Sequence, residues 1–318
     1  MARRTALGID IGGTTTKAGI VTAEGDILAR LSRPSDPSAA TKGAIALCDE
    51  LLERAGDLDV DIVAVGVGAA GFVAGETVTF SPNLIFDDPH LGAAFEVRTK
   101  LPCVVDNDAN VAVWGERAYG AAVGKDHIAL VTIGTGMGSG FVVDGHILRG
   151  ASGAAAEIGH TVVDPSGPVC GCGLKGCLEQ FASGLAIARW AREAAIVEPS
   201  SSMVTFAGSV DGITAEHVGK AAREYDPTAR EVLRRSGRAL GVGLSNIANL
   251  FDPELIVLAG SVTRAGEAFL GPARDELARM ASAQRRRPVR LDLSPLEGDG
   301  GILGAAALAL ESKKRFSQ

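Results

Sequence analysis

The 318-residue sequence predicts an α/β protein with two domains. Short buried strands alternate with amphipathic helices, as is typical of α/β folds. A strand, a glycine-rich turn, a hairpin, a helix and a further buried strand occur in the first half of the chain and again in the second. At roughly 100–200 residues per domain, the length also favours two domains.

The elements of the first half follow from hydrophobic runs and turn residues. In order, they are a strand at 6–11, a turn at 12–16, strands at 19–22 and 27–31, a helix at 39–55, strands at 62–68 and 103–106, and a helix at 109–119. The helix at 39–55 carries Ile45, Leu47 and Leu51 on one face and stops at Gly56.

The second half repeats this order after a shift of 122 positions, which places Ile133-Gly134 on Ile11-Gly12. We interpret this as an internal duplication; the alternative is two unrelated hairpins. Asp226-Pro227 predicts the start of a long helix. The predicted elements are a strand at 129–133, a turn at 134–140, strands at 141–143 and 147–148, an insertion at 150–211, helices at 214–224, 227–250 and 267–282, a strand at 255–259 and a C-terminal helix from 301.

Composition and charge exclude several classes of protein. Hydrophobic residues make up 46% and charged residues 22%, which excludes a disordered or fibrous chain. The net charge of −7 and the 4% of aromatic residues disfavour a nucleic-acid partner.

The sequence also gives no signal of export or membrane insertion. The longest uncharged stretch, residues 62–75, is too short and too rich in glycine to span a bilayer. The N-terminal residues lead into a strand pattern without a signal-peptide core. We therefore expect a cytoplasmic protein with no membrane partner, whose cysteines stay reduced.

The first chemical motif is Asp10-Ile11-Gly12-Gly13-Thr14-Thr15, at the end of the first strand. Glycines let backbone N–H groups approach phosphate oxygens, and a carboxylate can hold Mg²⁺. The spacing differs from that of a P-loop, and a hairpin follows where a dinucleotide-binding fold has a helix. A simple glycine-rich β-turn explains this segment equally well.

The second motif, Gly134-Thr135-Gly136-Met137-Gly138, occupies the equivalent position in the second half. Two opposed loops, one from each domain, can hold a triphosphate in a cleft. A third motif, Asp106-Asn107-Asp108-Ala109-Asn110, lies where a strand ends and a helix begins. Asp and Asn are common helix caps, and an Asp is also the usual base in phosphoryl transfer to an alcohol. Both roles can be filled here by neighbouring residues.

The fourth motif combines four soft metal ligands within eighteen residues: His160, Cys170, Cys172 and Cys177. This set predicts a closed, structural Cys₃His zinc site; the alternative is unpaired buried cysteines. Glu157 and Glu179 flank the cluster and can accept hydrogen bonds from sugar hydroxyls. Cys48 and Cys103 lie in apolar contexts and are expected in the core.

These motifs together resemble the ROK family of bacterial sugar kinases and repressors, and within it the actinobacterial-type glucokinases. The resemblance covers nearly the whole chain. It is carried by D-I-G-G-T (10–14), G-A-A-G-F-V (68–73), S-P-N (81–83), D-N-D-A-N (106–110), I-G-T-G-M-G-S-G (133–140), E-I-G-H (157–160), C-G-C-G-x-x-G-C-x-E-Q-F-A-S-G (170–184), L-F-D-P (250–253) and G-I-L-G-A-A (301–306).

The resemblance implies a two-domain actin-like, hexokinase-type (ribonuclease H-like) ATPase fold with a cleft between the domains and a zinc-binding insertion. The expected domains are a small one at 1–122, joined by the C-terminal helix 301–318, and a large one at 123–300. The implied activity is ATP- and Mg²⁺-dependent phosphorylation of the 6-hydroxyl of glucose. The family also implies a homodimer or homotetramer.

The resemblance implies functional roles for those residues of this sequence that match the family's motifs. Asp108 matches the catalytic base. The sugar-contacting positions are Gly71, Asn83, Asn107, Asp108, Glu157, His160 and Glu179. The nucleotide-contacting positions are Asp10, Gly12, Gly13, Thr14 and Thr15 in the first loop, Thr135 and Gly136 in the second, and Gly260 and Ser261 on the adenosine side. The metal ligands are His160, Cys170, Cys172 and Cys177.

The sequence departs from the family pattern at two places. Thr15 stands where many relatives have a lysine, and Lys17 comes two residues later. Ala70-Gly71 replaces the common Pro-Gly. Other family activities stay open as alternatives: phosphorylation of N-acetylmannosamine, N-acetylglucosamine, mannose or fructose, use of polyphosphate as donor, and sugar-responsive repression. A repressor needs a helix-turn-helix domain of roughly 60–80 residues, whereas the first loop here begins at Asp10.

Overall fold

The computed structural model describes residues 3–281 and 287–316, with side chains up to residue 312. Its strands are β1 (Arg3–Ile11), β2 (Thr15–Thr22), β3 (Ile27–Pro34), β4 (Val60–Ala69), β5 (Phe72–Ala74), β6 (Thr77–Phe80), β7 (Cys103–Asn107), β8 (Ile128–Ile133), β9 (Met137–Val143), β10 (His146–Ile147), β11 (Leu255–Ala259) and β12 (Arg290–Leu293). Its helices are α1 (Ala40–Leu58), α2 (Leu91–Thr99), α3 (Asp108–Tyr119), α4 (Glu179–Ala182), α5 (Gly184–Val197), α6 (Ser202–Ala207), α7 (Ala215–Arg223), α8 (Pro227–Phe251), α9 (Glu267–Met280) and α10 (Gly300–Phe316).

The described strands form two five-stranded sheets of matching order and a small β5–β6 hairpin. The first sheet has the order β3-β2-β1-β4-β7 and the second β10-β9-β8-β11-β12. In the first sheet, β1 pairs antiparallel with β2 and parallel with β4. In the second, β9 pairs antiparallel with β10, and β11 pairs parallel with β12. The predicted duplication is confirmed at the level of strand order.

The described residues divide into two compact units. Unit 1 lies within Met1–Leu130, Gly140–Ala156 and Ser294–Gln318, and unit 2 within Val131–Ser139 and Glu157–Leu293. Helix α10 therefore belongs to unit 1, and residues 317–318 of the expected C-terminal helix lie outside the described part of the chain. None of the described helices has both the length and the apolarity needed to cross a membrane.

Strand β1 forms the centre of unit 1, because its two faces pack against different helices. Leu7, Ile9 and Ile11 join the core that includes the buried face of α1. The alternate residues point the other way, and Ala6 packs with α10. A Cβ on Gly66 of the neighbouring strand would lie 1.9 Å from the carbonyl oxygen of Ala305. This glycine thus lets α10 lie directly on the sheet.

Unit 2 is built around α8, whose start was predicted correctly. Asp226 caps this helix by accepting the N–H of Ala229, and Pro227 occupies its first turn. Helix α9 ends at Met280, two residues before the predicted end at 282, which lies outside the described residues.

Several parts of the predicted element order were wrong. It omits β5, β6 and α2 between β4 and β7, and β12 before α10. Residues 137–140 belong to β9 and not to a turn, since Gly140 lies in the strand against the backbone of α3. A Cβ there would come within 2.4 Å of the carbonyl oxygen of Ala109, so this glycine serves close packing and not chain reversal. The insertion at 150–211 also contains helices α4, α5 and α6, which were not predicted.

Candidate functional site

The segment 106–110 places two polar side chains at the junction of β7 and α3. Asn107 caps α3, because its side-chain oxygen accepts the N–H groups of Ala109 and Asn110 at 2.9 and 3.1 Å. Its amide nitrogen donates to the carbonyl oxygen of Gly71 at 2.9 Å. Asp108 is the first residue of the helix and is partly buried. Asn107 thus provides the cap, and the Asp108 carboxylate oxygen Oδ1 also accepts the Ala109 N–H at 2.9 Å.

A buried ion pair lies directly behind this junction. Asp106 is 3% exposed and receives two hydrogen-bonding nitrogens of Arg149, at 2.7 and 2.8 Å. Its other carboxylate oxygen accepts the N–H of Asn107 and the side-chain amide of Asn110, both at 2.8 Å. The Asp106–Arg149 pair therefore fixes the backbone that carries Asn107 and Asp108. No local sequence pattern connects Arg149 with this segment, so the role of Arg149 was not predicted.

Replacing Arg149 with Met is expected to destabilise the protein by about 1–3 kcal/mol, because the buried Asp106 carboxylate loses its counter-charge. The half-exposed Arg149 side chain keeps the cost below that of a fully buried pair. Urea unfolding measures the change. The matched control is Arg234→Met, which breaks an exposed pair with Glu231 and should cost no more than about 0.5 kcal/mol. Equal losses in the two variants would contradict a structural role for the pair.

Asp10 is the penultimate residue of β1 and lies on the face that packs against α10. It is opposite Lys17 of β2 and in register with Gly68 of β4, which in turn is in register with Asp106. A Cβ on Gly301 would lie 2.4 Å from the Asp10 carboxylate oxygen Oδ2. The start of α10 therefore borders this carboxylate. Gly301 was predicted as the start of the C-terminal helix, but neither it nor Asp299 was predicted to lie at the site.

Burial and neighbouring carboxylates raise the pKa of Asp10. Burial raises its pKa to about 7, with further increases from the charges of Asp108 and Asp299, while the Lys17 ammonium opposes them. Burial likewise raises the pKa of Asp108, partly offset by hydrogen bonds to its carboxylate. The Asp10 and Asp108 carboxylates are close enough to interact electrostatically, and both are partly buried. Such a pair of carboxylates favours the binding of a cation.

The first glycine-rich loop lies next to Asn83. The N–H of Gly12 donates to the carbonyl oxygen of Thr15 at 3.2 Å and closes the turn. Thr14 is exposed, and Thr15 begins β2. A Cβ on Gly13 would lie 3.7 Å from the Asn83 amide nitrogen, so the Asn83 side chain lies beside this exposed glycine.

The second glycine-rich loop, in unit 2, lies next to Glu179. The N–H of Met137 donates to Glu179 Oε2 at 2.9 Å. Thr135 is exposed at the tip of the loop. Gly260 follows β11 with a φ of +95°, and a Cβ there would lie 2.3 Å from the Ile133 carbonyl oxygen. Gly260 and the adjoining Ser261 therefore lie beside the strand that precedes this loop.

The turn that carries Glu157 and His160 also packs on this loop. A short 3₁₀ helix, Ile158–His160, follows Glu157, and the N–H of His160 donates to the Glu157 carbonyl oxygen at 3.1 Å. A Cβ on Gly159 would lie 2.9 Å from the carbonyl oxygen of Met137. Unit 2 thus brings the turn that bears Glu157, the Glu179 carboxylate and the loop 134–137 together.

The structure brings the four predicted metal ligands together. The ligand atoms of His160, Cys170, Cys172 and Cys177 all lie within 4.8 Å of one another. Two separations are 3.6 Å, one between the Cys172 and Cys177 sulfurs and one between Cys170 Sγ and Nδ1 of His160. A tetrahedral zinc with Zn–S of about 2.3 Å and Zn–N of about 2.0–2.1 Å places its ligand atoms roughly 3.5–3.8 Å apart. The cluster therefore fits zinc, and its sulfurs are too far apart for a disulfide.

The other two cysteines are core residues, as predicted. Cys48 and Cys103 are 0% and 4% exposed. Burial raises the pKa of Cys48 to about 12 and raises that of Cys103 as well. Thiols in such surroundings are inert near neutral pH.

Comparison with known proteins adds independent information. The ROK family model matches residues 6–312. The chain belongs to the ROK family. The glucokinase of Streptomyces coelicolor is 40% identical over 313 residues, which cover 96% of this chain and 97% of that protein. The glucokinase of Thermotoga maritima is 37% identical over 316 residues, covering 98% of this chain and 99% of that protein.

A solved structure of a ROK family member shares the fold. The ROK family glucokinase of Streptomyces griseus, crystallised with glucose and AMPPNP, has a TM-score of 0.84 and 39% identity, covering 96% of this chain and 99% of that one. The expected family and the expected sugar-kinase α/β fold are therefore confirmed for this ROK protein.

Proposed function

We propose that this chain is an ATP-dependent glucokinase, which transfers the γ-phosphoryl group of ATP to the 6-hydroxyl of glucose. The likeness to the Streptomyces griseus glucokinase, which was crystallised with glucose and an ATP analogue, carries the proposal. The partly buried Asp108 at the start of α3 supplies the base that such a reaction needs.

The residues to which the family resemblance gives sugar-contacting roles are Gly71, Asn83, Asn107, Asp108, Glu157, His160 and Glu179. The Nδ1 atom of His160 faces the cysteines, which leaves Nε2 to donate a hydrogen bond to a sugar hydroxyl. Carboxylate and amide groups held in fixed positions are well suited to form hydrogen bonds with specific hydroxyl groups.

The transfer step uses Asp108 as the general base. Its carboxylate accepts the proton of the 6-hydroxyl as that oxygen forms a bond to the γ-phosphorus of ATP. The bond from the γ-phosphorus to the bridging oxygen of ADP breaks, and ADP keeps the electron pair. The Asp106–Arg149 pair and the Asn107 cap hold Asp108 in place for this transfer.

The residues to which the family resemblance gives nucleotide-contacting roles are Gly12, Gly13, Thr14, Thr15, Thr135, Gly136, Gly260 and Ser261. Asp10 is the residue that would bind Mg²⁺, and Mg²⁺ supplies charge neutralisation for the phosphates when bound. Lys17, whose ammonium donates to the Gly298 carbonyl oxygen at 2.7 Å, keeps a positive charge near Asp10.

A coupled assay tests the activity. The purified protein is given Mg²⁺-ATP and glucose, and glucose 6-phosphate is detected with its dehydrogenase. Mannose, fructose, N-acetylglucosamine and N-acetylmannosamine form the comparison panel, and inorganic polyphosphate replaces ATP in a parallel arm. The highest kcat/KM with glucose and ATP supports the proposal, and a higher value with another sugar or donor overturns it.

Lowering the pH from 8 to 6 is expected to raise the KM for Mg²⁺-ATP by about tenfold. Asp10, with a pKa of about 7, passes over this range from mostly ionised to mostly protonated. The protonated carboxyl no longer attracts the cation. Initial rates at saturating glucose give the KM at each pH. In Asp10→Asn the KM should be high throughout and nearly independent of pH, and a flat profile in the wild type would contradict the assignment.

The remaining partners are proposed on the family resemblance. The chain is proposed to be a cytoplasmic homodimer or homotetramer that holds one structural zinc ion and binds neither nucleic acid nor membrane. Light scattering after size-exclusion chromatography tests the oligomeric state.

A further inference from the structure

The Glu179 carboxylate lies on the backbone of the second glycine-rich loop. Its Oε2 atom accepts the Met137 N–H at 2.9 Å. A Cβ built on Gly136 would lie only 2.7 Å from the same oxygen and 3.6 Å from the carboxyl carbon. The carboxylate therefore occupies the space that a side chain at position 136 would need.

The loop and the segment after Glu179 form one connected piece of unit 2. The N–H of Gly184 donates to the Gly134 carbonyl oxygen at 2.8 Å, and the N–H of Leu185 donates to the Thr135 carbonyl oxygen at 3.3 Å. Glu179 is thus attached to the loop both through its side chain and through the helix start that follows it. The position of the loop backbone is therefore linked to that of the carboxylate by these contacts.

We propose that Gly136 and the Met137 N–H position Glu179 for sugar binding, so that a loop assigned to ATP also sets the affinity for glucose. The inference rests on the proposed function, in which Glu179 accepts a glucose hydroxyl. In this arrangement the Met137 N–H donates its hydrogen bond to Glu179. The absence of a side chain at position 136 is needed because the carboxylate lies there.

The chain offers a matched pair of variants for the test. Neither Gly134 nor Gly136 has a left-handed φ, so alanine fits the backbone at both positions. A Cβ on Gly134 meets no atom within 4 Å, whereas one on Gly136 meets Glu179. Gly134→Ala and Gly136→Ala therefore differ in what the added methyl group contacts.

Calorimetric titration with glucose, without nucleotide or Mg²⁺, measures the effect on the sugar alone. Gly136→Ala is expected to raise the Kd for glucose about tenfold or more, since a charged hydrogen-bonding group is displaced. Gly134→Ala should stay within about twofold of the wild type. Equal Kd values for Gly136→Ala and the wild type, or equal losses in both variants, overturn the inference. Absence of glucose binding by the wild-type protein overturns the proposed function itself, and the inference with it.

A second variant distinguishes an effect on the position of Glu179 from a general loss of stability. Glu179→Asp shortens the side chain and removes the carboxylate from the space beside position 136. The Kd for glucose of Glu179→Asp and of Gly136→Ala/Glu179→Asp should then agree within about twofold. If Gly136→Ala lowers the Tm, Glu179→Asp should restore it. A further loss of affinity or of Tm in the double variant would show that the methyl group acts elsewhere.

Discussion

Asp108→Asn is expected to lower kcat by about 10²–10⁴-fold, the usual contribution of a general base, while glucose still binds. The amide has nearly the same shape as the carboxylate but cannot accept the proton of the 6-hydroxyl. The helix cap is unaffected, because Asn107 provides it. The loss should therefore appear in turnover and not in the amount of folded protein.

Turnover and binding have to be measured separately to test this. The coupled assay gives kcat, and calorimetry gives the Kd for glucose, which should change by no more than about tenfold, equivalent to the loss of one hydrogen bond. Asp275→Asn, at an exposed position of α9, is the control and should keep both values. A kcat within a few-fold of the wild type would exclude Asp108 as the base.

Much of the fold could be predicted, because hydrophobic runs and turn residues report on local structure. The glycine-rich segments at 12–13 and 134–136 marked the two equivalent turns, and the strand order of both sheets agrees with the duplication. The wrong prediction at Gly140 shows the limit of local sequence patterns. A glycine in a strand packed against a helix backbone has the same sequence signal as a glycine in a turn, and only the partner, Ala109, distinguishes them.

The supporting groups of the candidate site could not be predicted, because they come from distant parts of the chain. Arg149 reaches Asp106 from forty-three residues away, and α10 brings Gly301 and Asp299 to Asp10 from the other end of the sequence. No periodicity or short motif records such contacts. The clustering of the four candidate metal ligands was predictable, since all four lie within one short segment and have side chains that are rarely grouped without a metal.

Cys177→Ser is expected to remove zinc and to lower the Tm by about 10 °C. Cys177 is fully buried within the cluster, so the variant loses one of four ligands without exposing a new surface. A metal present at about 1,000 times its dissociation constant stabilises the folded state by about 4 kcal/mol. In a chain of this size, each kcal/mol corresponds to roughly 2–4 °C.

The same change should weaken glucose binding, because the cluster lies beside two residues that we propose to bind the sugar. His160 is also a proposed zinc ligand, and Glu179 follows Cys177 by two residues at the start of α4. Elemental analysis should find about one zinc per wild-type chain and almost none in Cys177→Ser, together with at least a roughly tenfold rise in the Kd for glucose.

Cys48→Ala is the matched control, since Cys48 is also buried but lies in α1, away from the cluster. It should keep about one zinc ion and its glucose affinity, at a cost of about 1 kcal/mol for the small cavity. A wild-type protein that is fully folded and active without zinc would contradict the metal assignment. Zinc retained in Cys177→Ser with an unchanged Tm would show that this thiolate is not a ligand.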